Sequence, residues 1–229
     1  MLMVVPPAQP TAVAAIPRDV VFVVDTSGSM GGVSIEQARA RVSLALRQLT
    51  KNDRFNIIAF DSSHRALHAQ SVPATEHYVQ HALEFVRTLS ASGGTQMMPA
   101  LRAALAVADD LATGEESVRL RQVIFITDGA VGNEDALCRE IEQRLGNSRM
   151  FTVGIGSAPN SWFMRKAAEF GRGRFTHIGT LDEVAQRMDE LFASIASPVA
   201  SDVELQWPQG LVVESWPQRL PDLYRGQHV

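Results

Sequence analysis

Apolar segments of strand length alternate along the chain with segments whose apolar residues recur at helical spacing. The strand-like segments are "DVVFVVD" (19–25), "RFNIIAF" (54–60), "RQVIFITD" (121–128), "RMFTVGIG" (149–156) and "RFTHIG" (174–179). Continuous runs rich in β-branched residues are typical of strands that are covered on both faces. The more polar, alternating stretch 65–72 predicts an edge strand.

The segments between these strands predict helices. Ser34 with Gln37 forms a predicted capping box for the first helix, and Thr75 begins the second. Further helices are predicted from Pro99 to about Ala112, from Asn133 to about Leu145, and over 160–170 and 181–195. Alternating strands and helices predict an α/β fold of the Rossmann-like, doubly wound kind. We expect a mostly parallel central sheet with one antiparallel edge strand and helices on both faces.

The two ends of the sequence differ from this pattern. We expect residues 19–197 to form the α/β domain and 1–18 to be a linker and strand from a preceding region. After Pro198, short strand-like pieces separated by prolines predict a C-terminal β extension over 198–229. We therefore expect the sequence to be a segment of a longer chain.

Composition limits the possible functions. The 229 residues are 45% hydrophobic, which is enough for one large core, and the net charge of -4 lacks the basic field of a nucleic-acid-binding protein. No run approaches the roughly 20 apolar residues of a membrane helix. The single cysteine, Cys138, shares a predicted helical face with Ile141, so we interpret it as a buried structural thiol. The oligomeric state stays open, with a monomer as the simplest expectation.

Polar side chains follow the predicted strands where these strands end. Asp25, Ser27 and Ser29 come directly after the first strand, Asp128 ends the third buried strand, and Thr95 lies in a glycine-rich loop. Ligands of open parallel sheets bind at the carboxyl ends of the strands, near the point where the strand order reverses. We therefore expect these five side chains to lie together.

The chemistry of this set predicts a hard cation. Two carboxylates and three hydroxyls suit Mg²⁺, Ca²⁺ or Mn²⁺ rather than Zn²⁺. Gly28 between the two serines allows the backbone to curl around one point. Each residue alone could be a cap or turn former, but their joint occurrence at strand ends favours a metal site.

The set resembles the metal-ion-dependent adhesion site, or MIDAS, of the von Willebrand factor type A (VWA) domain. That site has a D-x-S-x-S motif after the first strand, a threonine in a later loop and an aspartate after the fourth strand. These positions match Asp25, Ser27, Ser29, Thr95 and Asp128. The resemblance spans about residues 19–197.

Longer motifs resemble the branch of this family that follows a VIT domain, as in inter-alpha-trypsin inhibitor heavy chains. "FVVDTSGSMGG", "DRFNIIAF", "GGTQMMPAL", "VIFITDGAVGNE" and "FTVGIGSAPNSWFMRKAAEFGRG" are most similar to the bacterial group called marine proteobacterial sortase target proteins. Gln96 departs from the glutamate that usually follows the loop threonine.

The resemblance implies a non-enzymatic, metal-dependent adhesion module on a bacterial cell surface or envelope, or secreted. Its partner would be a protein that offers an Asp or Glu carboxylate to the metal. The rim that contacts this partner is expected at Met30, Gly94, Gln96 and Gly129. In integrin-type relatives ligand binding shifts the last helix, which here is the predicted helix 181–195.

Two other classes of function stay open. VWA domains also serve as intracellular subunits that assist AAA-type ATPases. A metal-dependent hydrolase would need a general base, and the three site loops contain no histidine, although Asp128 could serve.

The histidines give a weaker pattern. His77 and His81 are four residues apart on a predicted helix and could offer two zinc ligands, but no third ligand is evident. His64 and His68 share one face of the predicted edge strand. We interpret both pairs as surface residues.

Overall fold

The structure, a computed structural model, describes residues 17–106, 119–128, 132–155, 160–178, 191, 195, 198–200 and 222–224. Its strands are β1 Arg18–Asp25, β2 Arg54–Phe60, β3 His64–Ala66, β4 Val72–Pro73, β5 Leu120–Thr127, β6 Arg149–Ile155, β7 Phe175–Ile178, β8 Pro198–Ala200 and β9 Leu223–Tyr224. Its helices are α1 Val33–Gln48, α2 Glu76–Thr88, α3 Met97–Ala106, α4 Glu134–Arg144 and α5 Ser161–Phe170.

Seven strands form one sheet in the order β3-β2-β1-β5-β6-β7, with β4 also paired to β2. The pairs β2–β1, β1–β5, β5–β6 and β6–β7 are parallel, and β3 and β4 are antiparallel to β2. The prediction of a mostly parallel α/β sheet is confirmed. The helices lie on both faces, as expected for this class of fold.

The predicted edge strand 65–72 is divided into two short strands, β3 and β4. Between them the buried side chain of Asn56 replaces a neighbouring strand, because its Nδ2 donates to the carbonyl of His68 over 2.8 Å. The His68 amide donates back to Asn56 Oδ1 over 3.1 Å. Pro73, which has no amide hydrogen to donate, is the last residue of β4 and lies at the edge of the sheet.

The core is divided by the sheet into two layers, which follow from the alternation of side chains along each strand. In β1, Val20, Phe22 and Val24 face the layer with α1 and α2, whereas Val21 and Val23 face the layer with α3, α4 and α5. All five valine and phenylalanine side chains are buried. The continuous apolar run of β1 therefore reflects packing on both faces.

The strand order reverses between β1 and β5. From β1 the chain passes through α1 to β2 on one side, and it later returns to place β5 on the other side of β1. The connections at the carboxyl ends of β1 and β5 therefore diverge to opposite faces and leave a crevice between them.

Two of the predicted helix starts can be compared directly with the structure. Thr75 is the N-cap of α2, and its hydroxyl accepts from the amide of Tyr78. The capping box at Ser34 is wrong, because Ser34 lies inside α1 and Gly32 is the N-cap. Gly32 has a φ of 69°, a left-handed conformation that glycine adopts without strain.

The C-terminal part of the chain is described at a few positions. Strands β8 and β9 pair in a separate two-stranded antiparallel sheet, in keeping with the β character predicted after Pro198. Asp222 forms a buried ion pair with Arg149 of β6. Most of the last predicted helix lies outside the described residues, but Leu191 and Ile195 are helical and buried in the core layer with α1 and α2. The predicted domain boundaries stay predictions.

Within the described residues, the helices are too short or too polar to span a bilayer.

The predicted helix from Pro99 is observed up to Ala106, and its predicted continuation to Ala112 lies outside the described residues. Cys138 is buried, as expected, and burial raises the pKa of its thiol.

Charges at the amino ends of the central strands are paired. Arg18 donates to Asp53 from Nε over 3.0 Å and from Nη2 over 2.7 Å, and Arg121 of β5 pairs with Asp19 of β1. Burial alone would raise the pKa of Asp53, but hydrogen bonds from Arg18 and Thr50 and the charge of Arg18 together lower it. This stabilisation is complete above the ordinary value of 3.8 and is lost as the pH falls through the lower folded-state pKa.

Replacing Asp53 should strongly destabilise the domain. In Asp53→Ala the guanidinium of Arg18 stays buried without its counter-charge, so we expect a loss of roughly 3–5 kcal/mol in the free energy of unfolding by urea at pH 7. The control is Glu169→Ala, which removes the exposed pair with Lys166 and should change stability by less than about 1 kcal/mol. Similar losses in the two variants would contradict the role of the Arg18–Asp53 pair.

Candidate metal-binding site

Asp25 is the last residue of β1 and is fully buried. Its Oδ1 accepts from the amide of Ser27 over 2.8 Å, and its Oδ2 accepts from the hydroxyl of Thr127 over 2.6 Å. The carboxylate is therefore fixed between the turn that follows β1 and the last residue of β5. This position is the crevice at which the strand order reverses.

The D-x-S-x-S segment folds into one short 3-10 turn, Gly28–Met30, so its side chains do not extend along a line. Ser27 Oγ and Ser29 Oγ lie 3.1 Å apart, with Ser27 buried and Ser29 exposed. Thr26 fixes the start of the turn, because its amide and its hydroxyl both donate to the carbonyl of Phe60, over 2.7 Å and 2.9 Å. The two serine hydroxyls are thus brought together directly after Asp25.

Gly28 is needed here for close approach rather than for its backbone angles. Its amide donates to the carbonyl of Gly93 over 3.0 Å, and a Cβ at position 28 would lie 3.2 Å from that same oxygen. Gly93 itself has a φ of +73°, and a Cβ there would lie 2.9 Å from Ser62 Oγ. Glycine at both positions lets the two loops touch.

The loop that carries Thr95 is attached to the ends of β1 and β2 on both sides of this residue. Ser92 donates its amide to the carbonyl of Thr26 over 2.8 Å, and Gly94 donates its amide to Ser62 Oγ over 2.7 Å. Gln96 donates its amide to the carbonyl of Asp61 over 2.6 Å. Thr95 is therefore exposed at the same edge as the serine turn.

Asp128 directly follows β5 and is partly exposed. It acts electrostatically on Asp25, whose pKa is raised first by burial and also by the negative charge of Asp128. Hydrogen bonds from Thr127 and Ser27 oppose this rise without cancelling it. No cationic side chain is among the groups that shift the pKa of Asp25 in the described part of the chain.

This arrangement fits a hard divalent cation. Two carboxylates in a poorly solvated crevice repel each other, and their oxygens and those of the hydroxyls are the ligands that Mg²⁺, Ca²⁺ and Mn²⁺ prefer. In the described ranges no three side chains of the histidine, cysteine, aspartate and glutamate types are grouped so that they could hold a metal. The proposed set therefore depends on its hydroxyls as well as on Asp25 and Asp128.

The predicted rim needs one correction. Met30 is fully buried in the core layer with α1 and α2, because the 3-10 turn directs it inward, so it cannot contact a ligand at the surface. Gly94 and Gln96 are exposed beside Thr95, and Gly129 lies outside the described residues. Thr127 was missed by the sequence analysis, although its hydroxyl in an otherwise apolar strand directly before Asp128 was a usable signal.

This mostly parallel sheet, with helices on both faces and polar side chains at its switch point, defines an α/β domain of the doubly wound, Rossmann-like class. The sequence pattern of the von Willebrand factor type A domain matches residues 18–177, and the chain belongs to this family. A von Willebrand factor A domain-containing protein of Dictyostelium discoideum is 26% identical over 208 residues, which are 90% of this chain and 22% of that protein. Human inter-alpha-trypsin inhibitor heavy chain H4 is 28% identical over 229 residues, which are 96% of this chain and 24% of the heavy chain.

Solved structures agree with this assignment. The von Willebrand factor type A protein of Catenulispora acidiphila has a TM-score of 0.69 at 22% identity over 86% of this chain and 49% of that chain. The pilus adhesin SpaC of Lactobacillus rhamnosus GG has a TM-score of 0.63 at 16% identity over 78% of this chain and 30% of the adhesin. At these identities the structures show a common fold. This chain spans about a quarter of the length of the two sequence relatives, with 22% and 24% covered.

Neutralising Asp25 should not destabilise the metal-free protein. Because the pKa of Asp25 is raised in the folded state, its charge opposes folding at pH 7, and this opposition disappears as the pH falls through the raised pKa. Asp25→Asn keeps the size of the side chain and a carbonyl oxygen that can accept the hydrogen bond from the Ser27 amide. In EDTA at pH 7 we expect it to be at least as stable as the natural chain in urea unfolding.

Asp135→Asn is the control: Asp135 is exposed in the first turn of α4, and the loss of its charge there should lower stability by no more than about 1 kcal/mol. A clear loss of stability in metal-free Asp25→Asn would contradict an uncompensated charge at position 25.

Proposed function

We propose that this chain is a non-enzymatic, divalent-metal-dependent protein-binding module. Asp25, Ser27, Ser29, Thr95 and Asp128 would hold Mg²⁺, Ca²⁺ or Mn²⁺, some of them through water. The observation that carries the proposal is the buried Asp25 carboxylate, whose pKa the negative charge of Asp128 helps to raise, followed directly by two converging serine hydroxyls. When bound, the metal supplies a Lewis-acid position that an Asp or Glu of the partner completes.

In this proposal the residues of the metal-binding set have different roles. Asp25 is held rigid by Ser27 and Thr127, so it provides a fixed charge below the metal position. Ser29 and Thr95 are exposed and would meet both metal and solvent. With only two carboxylates the set would roughly neutralise a divalent cation and leave it receptive to a third carboxylate from outside.

The surface around the site supports an interaction with a protein rather than with a small molecule. Among the described residues, Val33 and Trp162 are the large hydrophobic side chains that are more than half exposed, at 53% and 52%. Both lie in the first turns of helices, α1 and α5, that begin near the carboxyl ends of β1 and β6. They therefore lie at the same edge of the sheet as the metal-binding set.

A polar cleft of about 300 Å³ is lined in part by Thr26, which precedes Ser27, and adds to this surface. Its lining includes Thr26, Asp61, Ser63, Arg65 and Ser92. Such a cleft can take a polar side chain next to the coordinating carboxylate of a partner.

A location at a bacterial cell surface or envelope, or outside the cell, is part of the proposal and is supported by the resemblance to VIT-associated proteins. A hydrolytic function is less well supported, since the loops 25–32, 90–96 and 128–133 contain no histidine. Sequencing the flanking regions of the full gene for an export signal would test the location.

Metal binding gives the first test. At a Mn²⁺ or Mg²⁺ concentration of 100 times Kd the folded state should gain about 2.7 kcal/mol. For a domain of this size that corresponds to a rise in Tm of roughly 5–10 °C. Asp25→Ala and Ser29→Ala should lose this rise and the heat of binding in titration calorimetry.

Matched controls are Asp135→Ala and Ser34→Ala, which remove a carboxylate and a hydroxyl outside the set and should keep the full metal response. Equal affinity for Mn²⁺ in Asp25→Ala and in the natural chain would refute the assignment of the site.

The proposed partner chemistry has its own test. On an array of peptides in which each Asp or Glu peptide is paired with its Asn or Gln counterpart, binding in Mn²⁺ should select the carboxylate member. EDTA should abolish this selection, and so should Asp25→Ala. Binding that is equal for both members and insensitive to EDTA would contradict recognition of a carboxylate through the metal.

A further inference from the structure

Two histidines that are thirteen positions apart in the sequence meet on the surface between the sheet edge and α2. The ring centres of His68 and His81 are 5.5 Å apart, with an angle of 56° between the ring planes. His68 follows β3, and His81 is exposed on α2. The sequence predicts surface positions for both residues, and only the fold brings their rings together.

The position of His68 is fixed by its backbone. Its carbonyl accepts from Asn56 Nδ2 and its amide donates to Asn56 Oδ1, so the buried amide of Asn56 holds residue 68 from both sides. The edge of its ring also contacts Tyr78, at 5.5 Å between ring centres and 86° between ring planes. His81 lies on a regular helix. His68 lies in the bend between β3 and β4, but its backbone is held by Asn56, so only side chains need to adjust to a shared ligand.

One nitrogen of this pair is buried without a hydrogen bond. Nε2 of His68 has almost no exposed surface and no hydrogen-bonding partner within the described residues. A buried polar atom of this kind costs free energy unless a further group satisfies it. Burial, and then the charge of His81, lower the pKa of His68, so its imidazole is neutral at pH 7 and has a lone pair to donate.

We propose that His68 and His81 form a second metal site, which binds a cation that prefers imidazole, such as Zn²⁺, Cu²⁺ or Ni²⁺. Two imidazoles that bind one Zn²⁺ through nitrogen at about 2.0–2.1 Å have their ring centres roughly 5 Å apart, close to the observed spacing. Imidazole nitrogen suits these borderline cations and not Mg²⁺ or Ca²⁺. The pair supplies two protein ligands. Nε2 of His68 is closed to solvent, so its ring has to turn outward beside His81 for a cation to bind. Water then completes the coordination, and the site is weaker than a three- or four-ligand zinc site.

This site is separate from the set around Asp25. His68 lies beside Asn56, near the amino end of β2, whereas the Asp25 set lies beyond Phe60 at the carboxyl end. Four residues of strand separate these two positions on β2, a distance of roughly 13 Å. The two sites also differ in ligand chemistry, nitrogen in one and oxygen in the other. The proposal therefore does not rest on the function proposed for the Asp25 set.

The rival arrangement uses α2 alone. His77 and His81 are separated by one helical turn, and such i, i+4 pairs can also bind zinc. The two arrangements make opposite predictions for zinc binding after His68 is substituted, so this variant distinguishes them.

Zinc titration of the untagged 229-residue chain tests the proposal, in saturating Mg²⁺ so that the oxygen set does not compete. Calorimetry should give one Zn²⁺ per chain in the natural protein and in His64→Gln, which replaces an exposed histidine on β3 outside the pair. His68→Gln and His81→Gln should each lose this binding. With Cu²⁺, electron paramagnetic resonance should show nitrogen ligation that disappears in the same two variants.

Two results would overturn the site: absence of Zn²⁺ and Cu²⁺ binding in the natural chain, or unchanged binding in either variant. If His77→Gln loses Zn²⁺ binding and His68→Gln retains it, the metal is bound by α2 alone. If circular dichroism shows that His68→Gln does not fold, His81→Gln decides the question, because an exposed helical side chain is not needed for folding.

Discussion

Strand β1 is paired in parallel with β2 on one side and with β5 on the other, and the rest of the structure depends on this double pairing. It buries every side chain of β1 and forces the connections at the two carboxyl ends to diverge. Asp25, the last residue of β1, is therefore placed between Phe60 of β2 and Thr127 of β5. A carboxylate in this position loses its water, which raises its pKa, and the hydrogen bonds that it keeps lower the pKa only in part.

Charged side chains are arranged differently at the two ends of the sheet. At the amino ends, Arg18 and Arg121 neutralise Asp53 and Asp19, and these pairs are buried and structural. At the carboxyl ends, the negative charge of Asp128 acts on the buried Asp25, which accepts hydrogen bonds from Ser27 and Thr127. The loops there are joined by the hydrogen bond between Gly28 and Gly93. The ion pairs at the amino ends of the strands therefore stabilise the fold. The carboxyl ends carry negative charge that a cation would neutralise.

Much of the architecture could be predicted from the sequence, because strand and helix periodicities are local. The five parallel strands, the start of α2 at Thr75 and the end of α5 at Phe170 follow from the pattern alone. The errors concern positions where tertiary contacts override local preference. Ser34 has the composition of a cap, yet Gly32 takes that position because the preceding turn needs a left-handed residue. The edge strand is split because Asn56 replaces its backbone partner around His68.

The sequence by itself determined which side-chain oxygens are available at the carboxyl ends of the strands, because residue type fixes the oxygens and the strand ends fix which loops carry them. Only the tertiary structure decided how these groups behave. It buried Met30 and so removed it from the surface, and it placed Thr127 against Asp25. It also brought His68 next to His81. These outcomes depend on packing between elements that are distant in the chain, and no local pattern of residues encodes such distances.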